Sequence, residues 1–139
     1  MLTLNKAKII AEATLAEGAR LGLAPLAVVV LDAGGHVLCA LRDERAGIMR
    51  GDIAHAKAWG SLGMGFGSRS LVGRVEKAPD FFAALFDVSK GRMAPSPGGV
   101  LIAEGGRTIG AVGVSGDAGD KDELCALAGV AAVGFEAST

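Results

Sequence analysis

Apolar side chains near the start of the chain recur at the three- and four-residue spacing of one helix face. They lie between Ile9 and Ala16, and Thr3 precedes them at a position where its hydroxyl can cap a first turn. Gly22 follows the last residue of this pattern and is typical of a helix end. We therefore predict a helix from Thr3 to about Leu21.

Two later stretches have the pattern of β-hairpins. The first, PLAVVVLDAGGHVLCALRD, predicts strands at residues 26–32 and 36–42 that are joined by a turn at Ala33–Gly35. The second, VLIAEGGRTIGAVGVSG, places Gly105–Gly106 between two apolar runs, and a Gly-Gly pair is one of the strongest signals for a two-residue hairpin turn. Each stretch is expected to supply two antiparallel strands.

Helical patterns occupy the chain between and after the hairpins. The predicted helices span residues 52–62, with Asp52 as the cap, residues 71–76, a segment that starts at Pro79 and is closed by Gly91, and residues 120–135. The order is therefore α-β-β-α-α-α-β-β-α. Hairpins separated by helices favour an α/β (α+β) fold with one antiparallel sheet flanked by helices, and we interpret residues 1–139 as a single domain.

The last predicted helix is apolar on all sides. One stripe consists of Leu124, Leu127, Ala128, Ala131 and Phe135, and the opposite side carries Cys125, Ala126, Val130 and Val133. A helix of this kind is expected to be covered on two sides. In a small domain the second cover is most simply another subunit, so we predict a homo-oligomer.

Charge and composition narrow the classes of partner and the compartment. Lys and Arg total 14 against 15 Asp and Glu, without a basic run, which argues against nucleic acid. The longest apolar run, residues 21–31, is interrupted by Gly22 and Pro25, so no membrane span is predicted. The first twenty residues lack the apolar core of a signal peptide, and Cys39 and Cys125 form no CxxC pair, so we expect a cytoplasmic protein.

The acidic segment VSGDAGDKDEL joins the second hairpin to the last helix. It lacks the Lys-Ser/Thr pair of a phosphate-binding P-loop, and its carboxylates would repel an anion. The oxygen donors of Asp117, Asp120, Asp122 and Glu123 suit Ca²⁺ or Mg²⁺, although their spacing is not that of an EF-hand. We favour local capping instead, with Asp120 as the N-cap, Glu123 as its N3 partner and Asp122 beside the helix dipole.

Four motifs in this order resemble the GlcG/HbpS-like family of small haem-binding or haem-degrading domains, to which the C-terminal domain of PduO-type cobalamin adenosyltransferases is related. The motifs are PLAVVVLDAGGHVLCALRD, IAHAKAWGSLGMG, PSPGGVLI and IGAVGVSGDAGDKDELCALAG. The resemblance implies a profilin-like α/β domain, assembly into oligomers, binding of haem or another tetrapyrrole, and a setting among catabolic genes for small organic acids. The chain departs from the common pattern at Gly60–Ser61, and the glycine-spaced run that follows also suits a small anionic metabolite.

A haem would need an axial ligand, and the chain contains no tyrosine. His36, His55, the cysteines and the methionines remain, and His55 is the better histidine because Asp52 and Trp59 share its predicted helix face. Trp59 can stack on a flat ligand. The competing interpretation is an ordinary half-buried histidine with an aspartate partner, and His36 is expected to be an exposed turn residue.

Cations and glycines near these motifs are the candidate carboxylate-binding residues. Arg42, Lys57 and Arg69 offer charge to a propionate or a small organic acid, whereas Arg45 and Arg74 are expected to be solvated. Ser68, beside Arg69, adds a donor. Gly98 and Gly99 either allow a ligand close to the backbone or make a turn, and Phe81, Phe82 and Phe86 are expected in the core or in one pocket wall.

Two functions therefore remain open from the sequence, beside a purely structural scaffold. The first is a cytoplasmic oligomeric protein that binds haem or a related tetrapyrrole. The alternative is an enzyme that acts on a small organic acid by acid–base chemistry, for which Lys57, Asp122 and Glu123 are the candidate catalytic residues together with His55. No catalytic triad is visible, and the sequence does not decide whether the protein is an enzyme.

Overall fold

The elements follow the order that the sequence predicts, and one short strand is added at the end. A computed structural model describes all residues 1–139. The helices are α1 (Leu4–Arg20), α2 (Arg50–Met64), α3 (Arg69–Lys77), α4 (Pro79–Val88) and α5 (Gly119–Ala131), and the strands are β1 (Ala27–Asp32), β2 (Val37–Arg42), β3 (Gly99–Glu104), β4 (Arg107–Ser115) and β5 (Glu136–Ser138). The predicted α/β fold class and element order are confirmed. The sequence pattern gave no signal for β5.

The strands form one antiparallel sheet in the order β2-β1-β4-β3-β5. Both predicted hairpins are present. In the second, Gly105 and Gly106 have φ values of 58° and 76°, which a glycine pair adopts without strain and which match the twist of the flanking strands. The two hairpins meet along β1 and β4, so residues far apart in sequence become neighbours at the centre of the sheet.

Alternating side chains of the central strands bury both faces of the sheet. One set packs against α1 and α5 and comprises Val28, Val30, Val100, Ile102, Val112 and Val114. The other set packs against Ala54 and Ala58 of α2 and comprises Ala27, Val29, Leu31, Leu101 and Ala111. Because successive side chains of a strand point to opposite faces, both faces of the sheet are apolar. Helices cover each of them.

A pair of glycines lets α2 lie directly on the sheet. Gly99 of β3 and Gly113 of β4 are register partners. A Cβ atom on Gly113 would lie 1.9 Å from the carbonyl oxygen of Ala54, and one on Gly99 would lie 2.2 Å from the carbonyl oxygen of Lys57. The helix backbone therefore occupies the space where side chains would stand.

The predicted helix starts are correct at α1 and wrong at α2 and α5. The Thr3 side chain accepts a hydrogen bond from the Lys6 N–H, as expected of a cap. At α2 the N-cap is Met49, and Asp52 lies inside the first turn. At α5 the N-cap is Ala118, and Asp120 again lies in the first turn. Both carboxylates remain near the positive end of the helix dipole, which accounts for their placement without a capping hydrogen bond.

Helices α3 and α4 pack against each other beside the layered domain. Leu71 and Phe82 are buried, so the expected core role of Phe82 is confirmed, whereas Phe81 is 59% exposed. The rings of Phe81 and Phe82 meet edge to face with centroids 5.6 Å apart. Across the whole chain, the helices all fall short of the length and apolar character that a bilayer crossing requires.

Candidate functional site

Four charged side chains from α2, α3 and α5 meet as two ion pairs, which we call the paired-charge cluster: Lys57 with Asp122, and Arg69 with Glu123. The Lys57 Nζ atom is 3.0 Å from Asp122 Oδ2, and the two side chains are only 3% and 1% exposed. Lys57 also donates to the Val114 carbonyl oxygen at 2.9 Å. Arg69 donates from Nε and Nη2 to the nearly buried Glu123 carboxylate at 2.8–3.1 Å.

Small residues make room for this cluster. A Cβ atom on Gly98, whose φ is +128°, would lie 2.9 Å from Lys57 Nζ. The Ser68 hydroxyl donates to the Ser96 carbonyl oxygen at 2.6 Å and accepts from the Gly99 N–H at 2.7 Å. The glycines therefore serve a close approach between parts of the protein itself.

The structure brings seven sequence-predicted site residues together, but as partners of one another. They are Lys57, Ser68, Arg69, Gly98, Gly99, Asp122 and Glu123. The Lys57–Asp122 pair fills the space between α2 and the start of α5.

Burial sets the pKa of both members of the inner pair. Loss of water lowers the pKa of Lys57, and the neighbouring Asp122 charge only partly opposes this change. Loss of water likewise raises the pKa of Asp122 against the hydrogen bonds from the Asp117 N–H and from Lys57. Neither group is accessible to a substrate in this arrangement, so the pair has the character of a structural tie between α2 and α5.

The acidic segment uses its carboxylates as local acceptors. Asp117 accepts from the Ala24 N–H at 2.8 Å and from the Ala118 N–H at 2.7 Å, and these bonds lower its pKa. Asp122 accepts from the Asp117 N–H at 3.0 Å. Three or more His, Cys, Asp or Glu side chains do not converge anywhere in the chain in a way that could hold a metal ion.

The outer face of α2 is a second and more open candidate site. It presents the half-buried side chains of His55 and Trp59, and the guanidinium carbon of Arg92 lies 3.9 Å from the centre of the Trp59 ring. The His55 ring makes no hydrogen bond within the chain. Burial, followed by the charge of Arg92, lowers the pKa of His55 against the opposing effect of Asp52. This shift favours the uncharged ring, in which one nitrogen carries a free lone pair.

Shallow hollows flank the first hairpin turn next to this face. One of about 180 Å³ is lined by Ala33, Gly34, Gly35, Trp59, Leu62 and Gly63. The largest hollow of the chain, about 540 Å³, shares Ala33 and Gly34 but lies toward Leu2, Glu104 and Arg107. Of the predicted site residues, only Trp59 lines either hollow.

Two further predicted residues lie away from both candidate sites. Arg42 donates from Nη1 to the carbonyl oxygens of Asp43, Glu44 and Ala46 and so holds the loop that follows β2. His36 is an exposed turn residue, as the sequence predicts, with Nδ1 3.3 Å from Asp32.

Burial raises the pKa of Cys125 to about 11, which makes an unreactive thiol.

Sequence reasoning missed Arg92. It lies in the loop between α4 and β3, and it reaches Trp59 only because the fold returns that loop across α2. The only sequence signal was an isolated cation before a proline-bounded segment. No spacing rule connects it to a tryptophan 33 positions earlier.

One antiparallel sheet that consists of two hairpins and the short strand β5, with helices on both faces, defines a profilin-like α/β domain. Residues 2–131 match the family model described as haem degrading protein HbpS-like, so the chain belongs to the HbpS-like family. This match confirms the resemblance that the four motifs indicated.

Two solved structures and one further relative are similar to this chain. A crystal structure of HbpS is 30% identical, superposes with a TM-score of 0.84, and is matched over 96% of this chain and 90% of its own. A crystal structure of a PduOC–heme complex has a TM-score of 0.89 over 99% of both chains, but at 22% identity it shows similarity of fold alone. An uncharacterized 15.0 kDa protein in the dhaT-dhaS intergenic region of Citrobacter freundii is 29% identical over 90% of this chain and 87% of its own.

Proposed function

We propose that the protein binds haem or a related tetrapyrrole on the outer face of α2. Membership of a family described as haem degrading supports this ligand class. The observation that carries the site is the half-buried His55, which is free of hydrogen bonds and one helical turn from Trp59 and its Arg92 partner.

The residues of this face fit a haem by the chemistry of their donors. A neutral imidazole is a common axial ligand of haem iron, and the lowered pKa of His55 keeps its ring in that form. Trp59 offers an aromatic face to a flat ring system, and Arg92 offers the planar fork that matches a propionate. When bound, haem supplies an iron centre for ligand or redox chemistry. His55, Trp59 and Arg92 would hold it and orient it.

The volume of the hollow beside Trp59 indicates that one copy covers only part of such a ligand. The hollow beside Trp59 is about 180 Å³, whereas pockets that enclose a small molecule are typically about 300–1,000 Å³. A haem on this face would therefore be open on one side unless a second copy closed over it.

The predicted homo-oligomer is part of this proposal. Leu124 is 47% exposed and Ala131 is exposed, while Cys125, Ala126 and Val130 on the opposite side of α5 are buried against the domain. Within the stripe that contains them, Leu124 and Ala131 are thus open in a single copy, whereas Leu127 and Phe135 pack partly against the core. We expect sedimentation velocity to show a species larger than 13.9 kDa. A monomer at all concentrations would contradict it.

Titration of the purified protein with haemin tests the ligand and the histidine together. We expect a saturable shift of the Soret band, and we expect His55→Ala to remove the spectrum of the histidine-ligated species or weaken binding at least about tenfold. His36→Ala is the matched control, because His36 is 81% exposed and lies on the hairpin turn. Equal spectra and affinities for the wild type and His55→Ala would contradict the assignment of His55, and the absence of saturable binding would contradict the function.

The acid–base enzyme, the cytoplasmic location and the catabolic-gene setting stay predictions. Lys57, Asp122 and Glu123 are engaged in ion pairs and nearly buried, and this arrangement does not favour the enzyme.

A further inference from the structure

Helix α3 carries three cations, and its one carboxylate, Glu76, does not line the depression that these cations border. Residues Arg69, Ser70, Gly73, Arg74 and Lys77 line a depression of about 460 Å³ on one side of this helix. Neither Arg74 nor Lys77 is within ion-pair distance of an acid. Their charges are therefore available to a ligand.

A second depression adjoins the first and is mainly apolar. It measures about 280 Å³ and is lined by Met64, Arg74, Lys77, Ala78, Phe81 and Phe82. Arg74 and Lys77 line both depressions, so a polar and an apolar surface share one border. We call the two depressions together the α3 groove. The 59% exposure of Phe81 leaves an aromatic face open at its apolar end.

The cations of the groove are held in place by the protein. Glu123 binds Nε and Nη2 of Arg69, and Nη1 makes no hydrogen bond within the chain. The guanidinium carbon of Arg74 lies 4.3 Å from the centre of the Phe66 ring, and this contact fixes its plane while its N–H groups remain free. A carboxylate that binds here would therefore meet donors that are already ordered.

The spacing of the three cations determines which of them can share one carboxylate. Arg69 and Lys77 are eight residues apart, which is about 12 Å along a helix axis at 1.5 Å per residue. One carboxylate cannot reach both ends, whereas Arg74 and Lys77 are neighbours on the helix surface and can share one.

We propose that the α3 groove binds a small aromatic carboxylate, with the carboxylate at Arg74 and Lys77 and the ring against Phe81. Arg69 is not part of this site, because it borders only the polar depression and is already paired with Glu123. This site does not use His55 and does not depend on the proposed binding of haem.

Titration of the ¹⁵N-labelled protein with naphthalene-2-carboxylate, followed by NMR, tests the groove. We expect saturable shift changes centred on residues 69–82. The double variant Arg74→Gln/Lys77→Gln should weaken binding at least about tenfold. The control Lys8→Gln/Arg107→Gln removes the same number of exposed charges elsewhere and should bind like the wild type.

Two further arms isolate the apolar half. Phe81→Ala should weaken the binding of the naphthalene probe. Because Phe81 is largely exposed, the variant should keep the melting temperature of the wild type. Acetate, which has one carboxylate and no ring, should bind more weakly than the naphthalene probe. Shift changes centred elsewhere, no saturable binding, or an unchanged affinity of Arg74→Gln/Lys77→Gln would overturn the proposal. Equal affinity for acetate would overturn its aromatic part.

Discussion

Replacing Lys57 with Met is expected to lower the free energy of unfolding by about 3–5 kcal/mol at neutral pH, because one partner of a buried ion pair is lost and the other stays. Asp122 is 1% exposed. Without Lys57 its carboxylate would keep only the Asp117 N–H as a hydrogen-bond donor. Urea denaturation followed by circular dichroism measures the change.

The deficit should shrink as the pH falls. Burial already raises the pKa of Asp122 in the wild type, and loss of the Lys57 charge raises it further. A carboxyl whose pKa is higher in the folded than in the unfolded state favours folding below its unfolded pKa and loses that contribution as the pH rises through its folded pKa. The difference between Lys57→Met and the wild type is therefore largest at neutral pH and smaller in acid.

A double variant separates the charge from the packing. Lys57→Met/Asp122→Leu removes both charges and should recover most of the lost stability, because well-packed apolar groups often replace a buried pair without cost. Lys121→Met, at an exposed position beside Asp122, is the matched control and should change stability by less than about 0.5 kcal/mol. A single Lys57→Met variant as stable as this control would contradict the buried pair.

Replacing Gly113 with Ala should destabilise the protein by about 3 kcal/mol or more, at or beyond the usual range for overpacking. The added Cβ would lie 1.9 Å from the carbonyl oxygen of Ala54, and backbone atoms cannot move aside as a flexible side chain can. Helix α2 would have to leave the sheet, so both the melting temperature and the near-ultraviolet circular dichroism of Trp59 should change.

Gly51→Ala, a substitution within helix α2, supplies the control for this prediction. No atom lies within 4 Å of a Cβ at Gly51, and alanine is favoured over glycine in a helix by up to about 1 kcal/mol. We expect this variant to be at least as stable as the wild type. Equal stability of Gly113→Ala and Gly51→Ala would mean that α2 does not rest on the glycine pair.

Local patterns predicted the architecture because hairpins and helices are specified by neighbouring residues. The Gly105–Gly106 pair adopts the positive φ angles that its turn needs, and the two-residue alternation of β1 determines which side chains face each helical layer. The boundaries were less predictable. A carboxylate in the first turn resembles a cap in sequence. For this reason Asp52, three positions after the observed cap, and Asp120, two positions after it, were each assigned as the N-cap.

The candidate site was less predictable because its contacts join distant parts of the chain. Sequence reasoning selected Lys57, Asp122, Arg69 and Glu123 as groups open to a ligand. The fold instead pairs Lys57 with a residue 65 positions away and Arg69 with one 54 positions away. Strand β5 and the stacking of Arg92 on Trp59 also depend on how the chain returns across the domain, and no periodicity carries that information.

Helix α2 is anchored at two levels, through its backbone on the glycine pair and through the Lys57 side chain that reaches Val114 and Asp122. Its outer face therefore has little freedom to shift when a molecule docks beside His55. Recognition there should proceed by near rigid-body association, with small ordering entropy and with side-chain rotations of Arg92 as the main adjustment.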